Sequence, residues 1–335
     1  KKEPAMQKLF KLYISGMLKS EKQMEAIGKI YAAFDENGID YLPLKGCNMK
    51  YLYPKPELRA MGDADILIRQ SQYKQIANIM NELGYNFDAE CEHVFLWNNQ
   101  QLEVELHKTL IPISEGKIYE IFSDVWDRCE TTEQHRKSMS AEDNFLHIFV
   151  HFSKHYRGGG IGVKHFTDIY VYKKANPNLD EQYIETSLKK IGLYEFYKNI
   201  CDTIKFVFEN GTLTEKGEFI IKTILNNKTY GAEENYSLWL NIANKKEKDS
   251  LKTSKFKRVL RLIFPSYLTM CQKYAFLSKI PVLLPFMYVV RALDNMLFHW
   301  EKISRQKQIL ERDSIERTEN YIKALEYVGF DLTEV

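Results

Sequence analysis

The sequence contains few cysteines, and none of them lies close to another. Five cysteines occur among 335 residues without any C-x-x-C motif, so the ligand spacing of a structural zinc site is missing. An odd number of cysteines cannot pair completely into internal disulfides. The N-terminal segment also lacks the uninterrupted apolar stretch of a signal peptide. We therefore expect a cytoplasmic protein.

A strong net charge is missing as well. Lys and Arg number 47 against 45 for Asp and Glu, which leaves a net charge of +2. A chain with this balance has no general electrostatic attraction for nucleic acid. A local basic cluster occurs only between residues 252 and 261, late in the chain.

Long hydrophobic runs are absent too. The longest uncharged apolar run, Ile280 to Val290, is too short to span a bilayer. We favour a buried helical segment for it. Because basic residues flank the run, peripheral contact with an anionic membrane surface through residues 252–291 is the alternative.

The chain is nevertheless rich in core-forming residues. Hydrophobic residues make up 44% and aromatic residues 13% of the sequence, which suffices for two domains. Alternating and helical apolar patterns mix in residues 1–140, whereas residues 141–335 show helical patterns almost throughout. We therefore predict an α+β fold: a mixed sheet with flanking helices, followed by an all-helical C-terminal domain.

Local patterns place the elements of the first domain. Apolar spacing predicts helices, and strict alternation predicts strands. The predicted elements are two helices within residues 5–37, strands at 39–45, 63–69, 92–99 and 101–107, a helix at 73–84, and a hairpin turn at 98–100.

The stretch "DADIL" carries two carboxylates two residues apart. In a strand, Asp63 and Asp65 project from the same face. Paired carboxylates repel unless a cation compensates, and Mg²⁺ binds one or two protein carboxylates together with substrate phosphates. The alternative is structural, with Asp63 capping a turn and Asp65 solvated. For an isolated D-x-D motif that alternative is the favoured one.

The neighbouring residues favour the metal-binding role of Asp63 and Asp65 over the structural one. Gly46 follows a predicted strand and precedes a segment that can begin a helix, so its backbone can approach an anion closely. Lys45 and Arg59 supply positive charge on either side of it. This combination of a glycine, cations and carboxylates is typical of phosphate chemistry.

A second polar strand face follows in "LEVELH". Glu103, Glu105 and His107 alternate with apolar residues and share one face. A carboxylate from this face would complete the ligand set of a two-metal site for phosphoryl transfer. The alternative is an exposed polar strand face without a ligand.

Together these motifs resemble a known family. The order strand, glycine, helix, D-x-D strand, helix and later carboxylate strand is similar to the polymerase-beta-like nucleotidyltransferase superfamily. The segments "LPLKG", "YPKPELRAMGDADILI", "LGY" and "VELHKTL" resemble its bacterial branch of uncharacterised nucleotidyltransferases. In that branch L-K-G replaces the usual Gly-Ser. The motifs cover about residues 40–110.

The resemblance implies roles for the carboxylates. It makes Asp63 and Asp65 the metal-binding pair and Glu105 the third catalytic carboxylate. Glu103 is the rival for that third role, since both glutamates share one face, and His107 is a further candidate on it.

The resemblance also implies a nucleotide site. Gly46 would lie against the nucleotide phosphates, and Lys45 or Arg59 would neutralise them. Later in the chain, "LHIFVHFSKH" and "FTDIYV" carry a weaker likeness. It suggests that His151 and Asp168 face the nucleotide cleft between the domains.

The function expected from the resemblance is nucleotidyl transfer. An enzyme of this kind uses Mg²⁺, or Mn²⁺, to move a nucleoside monophosphate from a nucleoside triphosphate such as ATP to an acceptor. The weak net charge favours a small-molecule acceptor over RNA. Two alternatives remain: an inactive ligand- or partner-binding module with the same fold, and a toxin-like enzyme that modifies RNA.

Overall fold

The chain forms a seven-stranded mixed sheet with helices around it, followed by a helical region. In this computed structural model the described residues are 4–158, 161–226, 238–239, 242, 260, 263–267, 270, 274–278, 280–298 and 315–333. They form two compact units, which are Lys1–His151 with Lys164–Tyr194 and Leu332–Val335, and Phe152–Val163 with Glu195–Asp331. The domain boundary expected near residue 140 stays a prediction.

All seven strands belong to the first unit. They are β1 (Tyr41–Pro43), β2 (Asp63–Ile68), β3 (Asn86–Glu90), β4 (Val94–Asn98), β5 (Glu103–His107), β6 (Glu130–Glu133) and β7 (Arg136–Ser138). Their order across the sheet is β3-β4-β5-β2-β1-β7-β6. Strand β2 pairs parallel with β5 and antiparallel with β1. The sequence patterns predicted neither β3 nor the pair β6 and β7.

The described helices are named in chain order. They are α1 (Pro4–Glu36), α2 (Gly46–Met49), α3 (Tyr73–Glu82), α4 (Lys117–Phe122), α5 (Val125–Arg128), α6 (Ala141–Gly158), α7 (Val163–Ala175), α8 (Glu181–Lys190), α9 (Tyr194–Phe208), α10 (Glu215–Asn226), α11 (Leu284–Phe298) and α12 (Ile315–Val328). Short 3-10 helices occupy Lys50–Leu52, Pro56–Leu58, Gln70–Gln72, Ile113–Glu115, Ala275–Ser278 and Pro281–Leu283. No strand follows Ser138 among the described residues, and the predicted α+β class is confirmed.

The sequence patterns predicted two helices where the structure has one. Residues 5–37 were divided between two helices, but α1 continues unbroken to Glu36. Gly16 is exposed and lies against nothing, so it lowers helix propensity without forcing a break. The C-terminal half is held by Ile27, Ile30 and Phe34, which pack into the core of the sheet.

The central strands alternate as predicted, and this divides the sheet into two chemical faces. On β2, Ala64, Ile66 and Ile68 enter the core that α1 and α3 cover. Val104 and Leu106 of β5 enter the same core. Because side chains alternate along a strand, the polar residues of both strands project from the opposite face.

The predicted hairpin between β4 and β5 is confirmed. The two strands pair antiparallel, from Val94 with His107 to Asn98 with Glu103. The Asn99 side chain closes the turn, because its Oδ1 accepts hydrogen bonds from two backbone N–H groups further along the loop. The turn therefore fixes the register of β5.

The segment predicted to contact a membrane, residues 252–291, belongs to the second unit. No helix of the described part of the chain is long and apolar enough to cross a membrane. Except for Arg291, the basic residues on which contact through 252–291 depends lie outside the described residues. Peripheral membrane contact and a cytoplasmic location therefore stay predictions.

A glycine ends α12 in the second unit. Gly329 has a φ of +106°, and the N–H of Phe330 returns to the Leu325 carbonyl at 3.0 Å. This turn places the Phe330 ring 4.2 Å from that of Phe196 on α9. A Cβ on Gly329 would lie 2.5 Å from the Phe196 backbone nitrogen. Helices α9 and α12 therefore meet in a contact that only glycine fits.

Replacing Gly329 by alanine should destabilise the second unit. We expect Gly329→Ala to cost at least about 2 kcal/mol, because the positive φ and the close backbone both oppose a Cβ. Urea unfolding followed by circular dichroism measures the change. Gly28→Ala, at an exposed position of α1 where nothing lies within 4 Å of the new Cβ, is the matched control. It should leave the free energy of unfolding unchanged or raise it slightly. Equal unfolding midpoints for Gly329→Ala and wild type would contradict the close contact.

Candidate active site

The polar faces of β2 and β5 meet in register. Asp63 pairs with Glu103 and Asp65 with Glu105 across the parallel ladder. The two carboxylates of β2 thus lie beside the two carboxylates of β5. His107 ends the polar face of β5 and lies opposite Leu67.

Asp65 is the most buried carboxylate of this group. Its Oδ1 accepts a hydrogen bond from the Lys45 ammonium at 2.8 Å. His107 Nε2 lies 2.9 Å from the same oxygen and 3.4 Å from Glu105 Oε2. Because a carboxylate only accepts, His107 in its neutral form carries its proton on Nε2. Its Nδ1 is buried and has no hydrogen-bond partner among the described residues.

The two aspartates titrate in opposite directions. Burial raises the pKa of Asp65, but Lys45 and His107 outweigh burial and hold that pKa well below its usual range. For Asp63, burial and then the charges of Asp65 and Glu105 raise the pKa. Asp65 is thus stably ionised, whereas Asp63 carries the unrelieved repulsion.

The backbone that delivers Lys45 is strained. Lys45 follows β1 and has a φ of +39°, which is uncommon for a residue with a side chain. The preceding Leu44 N–H donates to the Asp65 carbonyl at 2.9 Å and ties this turn to β2. The backbone strain therefore lies at the residue whose side chain binds the Asp65 carboxylate.

The group contains donors suited to a metal ion. Ligand atoms of Asp65, Glu105 and His107 all lie within 4.8 Å of one another. Two carboxylates suit a hard cation such as Mg²⁺, and the imidazole suits a softer one. Asp65 Oδ2 accepts no hydrogen bond from the described residues, because Lys45 and His107 both contact Oδ1. The residues present therefore fit a divalent cation.

Gly46 and Arg59 form a second part of the site. An added Cβ on Gly46 would lie 2.9 Å from Arg59 Nη1 and 3.0 Å from Met61 Cγ. Glycine at this position thus lets the guanidinium lie directly against the backbone at the start of α2. The two predicted phosphate-binding residues are neighbours in space.

Asp168 binds Arg59 by both carboxylate oxygens. Arg59 Nε donates to Oδ1 at 3.0 Å and Nη2 donates to Oδ2 at 2.9 Å, and both side chains are buried. The Tyr53 hydroxyl also donates to Oδ1, at 2.7 Å. Such a two-pronged pair fixes the guanidinium plane and leaves Nη1 for another acceptor. Asp168 therefore orients Arg59.

Two histidines of α6 lie on this side of the first unit. His147 is buried, and burial followed by the charges of Lys45 and His107 lowers its pKa to about 3. It is therefore neutral. The ring of His151 lies 5.8 Å from that of His165 on α7. The nucleotide-binding role of His151 stays a prediction.

Three residues near the site were not among the sequence candidates. Tyr53 holds Asp168, and Lys50, which is fully buried, donates from Nζ to the Arg59 carbonyl at 3.1 Å. Lys164 on α7 interacts electrostatically with Asp168 and with both aspartates of β2. No sequence signal marks these residues, because the elements that carry them meet only in the folded chain.

The two aspartates should respond oppositely to neutralisation. In metal-free buffer at pH 7, Asp65→Asn should lower the free energy of unfolding by about 3 kcal/mol, because Lys45 and His107 lose a buried charged partner. Asp63→Asn should leave it unchanged or raise it, because repulsion is relieved. Urea unfolding in the presence of a chelator measures both.

The pH dependence supplies the control. Since the pKa of Asp65 is depressed in the folded state, its stabilisation is present above its unfolded pKa of about 4 and is lost as the pH falls further. The difference in the free energy of unfolding between Asp65→Asn and wild type should therefore become smaller in acid. A similar loss of stability in both aspartate variants would refute the assigned charge states.

Comparisons with known proteins place this geometry in a family. The family described as "Uncharacterised nucleotidyltransferase" matches residues 3–209. No curated protein matches the chain significantly.

Solved structures give weaker similarities. The solution structure of the antibiotic-resistance factor ANT(2'')-Ia is 16% identical, with a TM-score of 0.40, over 50% of this chain and 90% of that one. The crystal structure of ANT(2'')-Ia in complex with adenylyl-2''-tobramycin is also 16% identical, with a TM-score of 0.38, over 49% of this chain and 93% of that one. These values carry no functional argument. Because the family match covers well over half of the chain, this protein belongs to that family and is a nucleotidyltransferase enzyme.

Proposed function

We propose that this enzyme transfers a nucleoside monophosphate from a nucleoside triphosphate to a small-molecule acceptor, with Mg²⁺ or Mn²⁺ as cofactor. The observation that carries this proposal is the register of β2 and β5, which sets Asp65 beside Glu105 with Asp63 two residues away on the same face. Three clustered carboxylates are costly without a cation. A phosphoryl-transfer site requires such a cluster.

The carboxylates have separate roles in this proposal. Asp63, Asp65 and Glu105 would hold the metal, which would neutralise charge at the phosphates and at the attacking oxygen. Glu105 is preferred over Glu103 because it is half-buried and lies with Asp65 and His107, whereas Glu103 is exposed. Lys45 and His107 keep Asp65 ionised and fix its orientation.

The phosphates would lie near Gly46. Its missing Cβ leaves room for Arg59 Nη1 beside the backbone, and Asp168 presets that guanidinium for an anion. An acceptor oxygen then bonds to the α-phosphorus while the bond to the pyrophosphate oxygen breaks. Pyrophosphate leaves, and the acceptor proton passes to a carboxylate or to water. Positioning and charge neutralisation supply the rate enhancement.

Loss of one carboxylate at a time tests this site. Each variant is incubated with radiolabelled triphosphates, Mg²⁺ or Mn²⁺ and an acceptor extract, and released pyrophosphate is measured. Asp63→Asn, Asp65→Asn and Glu105→Gln should lower turnover at least about 1,000-fold, because each removes a charge that the transition state needs.

Glu103→Gln is the matched control. It lies on the same strand face as Glu105 and should keep turnover within about three-fold of wild type, since its carboxylate is exposed. An inactive Glu103→Gln beside an active Glu105→Gln would move the third carboxylate by one same-face step. Full turnover in Asp65→Asn would remove the metal-dependent mechanism altogether.

Charge distribution favours a small acceptor. A polynucleotide binder neutralises several phosphates and needs a basic surface, whereas this chain has a net charge of only +2. Sequence segments around the site, such as "GDAD", "DAECE" and "LEVE", are acidic. All basic residues of the cluster between 252 and 261 lie outside the described residues.

Label transfer to RNA is therefore expected to be absent. Total cellular RNA and a metabolite extract are compared as acceptors, and RNA binding is measured by gel shift across a salt series. We expect labelled small molecules and no salt-dependent RNA complex below micromolar concentrations. Labelled RNA together with tight, strongly salt-dependent binding would identify the enzyme as an RNA-modifying toxin instead.

A further inference from the structure

The described part of the first unit contains a group of cations beside the carboxylates. Lys50, Arg59 and Lys164 lie close enough to affect one another electrostatically. Asp168 is the carboxylate paired with this group, and Arg59 engages both of its oxygens. The three cations thus outnumber the one carboxylate that is ion-paired with them, and Asp63 and Asp65 also attract Lys164.

These cations raise one another's energy. Burial and then the charge of Arg59 lower the pKa of Lys50 and also that of Lys164. Each additionally feels nearby like charge, since Lys164 lowers the pKa of Lys50. Crowded cations in a partly buried position are costly unless an anion compensates. A bound anion would offset this crowding of positive charge.

Among the described residues, Lys164 is the one of these three cations whose side chain forms no ion pair or hydrogen bond. Arg59 is bound by Asp168, and the Lys50 ammonium donates to the Arg59 carbonyl. Lys164 forms no ion pair with a carboxylate of the described residues, although it interacts electrostatically with Asp63, Asp65 and Asp168. Lys164 is half-buried, and its charge lies within electrostatic range of the β2 carboxylates and of the Arg59–Asp168 pair.

The fold fixes where Lys164 stands. It lies in the first turn of α7, four residues before Asp168, so both side chains lie on one helix face. Asp168 anchors that face to Arg59, which is close to Gly46. The Arg59–Asp168 contact thus holds Lys164 on the same side as the metal-binding carboxylates.

We propose that Lys164 binds the β- and γ-phosphates of the nucleoside triphosphate and the pyrophosphate that leaves. This inference rests on the proposed nucleotidyl transfer and adds the residue that takes the leaving group. Arg59, which is held by Asp168, is the second cation of this group, and Asp168 in turn accepts a hydrogen bond from Tyr53.

The chemistry of the leaving group explains why a lysine suits this position. As the bond between the α-phosphorus and the bridging oxygen breaks, its electron pair moves onto pyrophosphate. An ammonium beside that group stabilises the growing charge without transferring a proton. Lysine is a compact point charge that tolerates several phosphate orientations, whereas the Asp168-bound guanidinium of Arg59 is held in one plane.

Pyrophosphate binding tests the assignment without knowledge of the base. Calorimetry with Mg²⁺ measures the dissociation constants of pyrophosphate, of α,β-methylene analogues of the four ribonucleoside triphosphates, and of the matching monophosphates. For Lys164→Ala we expect 10- to 100-fold weaker binding of pyrophosphate and of the preferred analogue. Monophosphate binding should change less than two-fold. Lys164→Arg, which keeps the charge, should recover most of the affinity.

Lys174→Ala is the matched control. Lys174 lies on the same helix, is exposed, and donates to the Tyr170 hydroxyl. Its loss should leave all dissociation constants unchanged. Protection of Lys164 in wild type from an amine-acylating reagent by pyrophosphate, read by peptide mass spectrometry, tests the same contact without any variant.

The outcomes separate this inference from the function on which it rests. If wild type transfers label but Lys164→Ala binds pyrophosphate as tightly as wild type, or pyrophosphate leaves acylation of Lys164 unchanged, this inference alone is overturned. If wild type neither binds a triphosphate analogue nor transfers label, the proposed function fails and takes this inference with it. Equal losses of affinity for pyrophosphate and for monophosphate in Lys164→Ala would also overturn it, because they would show that the whole site is disrupted.

Discussion

The buried carboxylate of Asp65 is the constraint on which the site depends. It lies in a central strand between two neighbours, where an ionised group without partners would be very unfavourable. Lys45 and His107 satisfy one of its oxygens. This explains why Lys45 accepts a strained backbone and why His107 is buried at the end of β5. The same contacts hold Asp65 ionised, which is the form that the proposed metal site requires.

The opposite behaviour of Asp63 follows from the same arrangement. Lys45 and His107 both contact Asp65, so Asp63 receives mainly burial and the repulsion of Asp65 and Glu105. A divalent cation would relieve this repulsion. The site is thus balanced for a charge that the protein does not itself provide, as is common where function competes with stability.

The cations near Asp168 form the complementary half of the site. In the proposed mechanism the carboxylates of β2 and β5 would hold a metal ion, and Arg59 and Lys164 would bind the phosphates. A metal–triphosphate complex carries both kinds of charge. The Arg59–Asp168 pair joins the two halves, because it connects the chain just before β2 with α7.

The sequence by itself determined the local elements and their chemical faces. The alternation of "DADILI" and "EVELH" fixed which residues of β2 and β5 are apolar and which are polar, because side chains on a strand alternate strictly. Apolar spacing located α3, but it divided α1 in two, because the apolar residues of this segment are interrupted between Leu18 and Met24. Tertiary structure decided which residues meet. Glu105 lies opposite Asp65 through the register of two parallel strands, and Asp168 binds Arg59 across 109 residues of chain. Both depend on packing between distant segments, which local patterns do not encode.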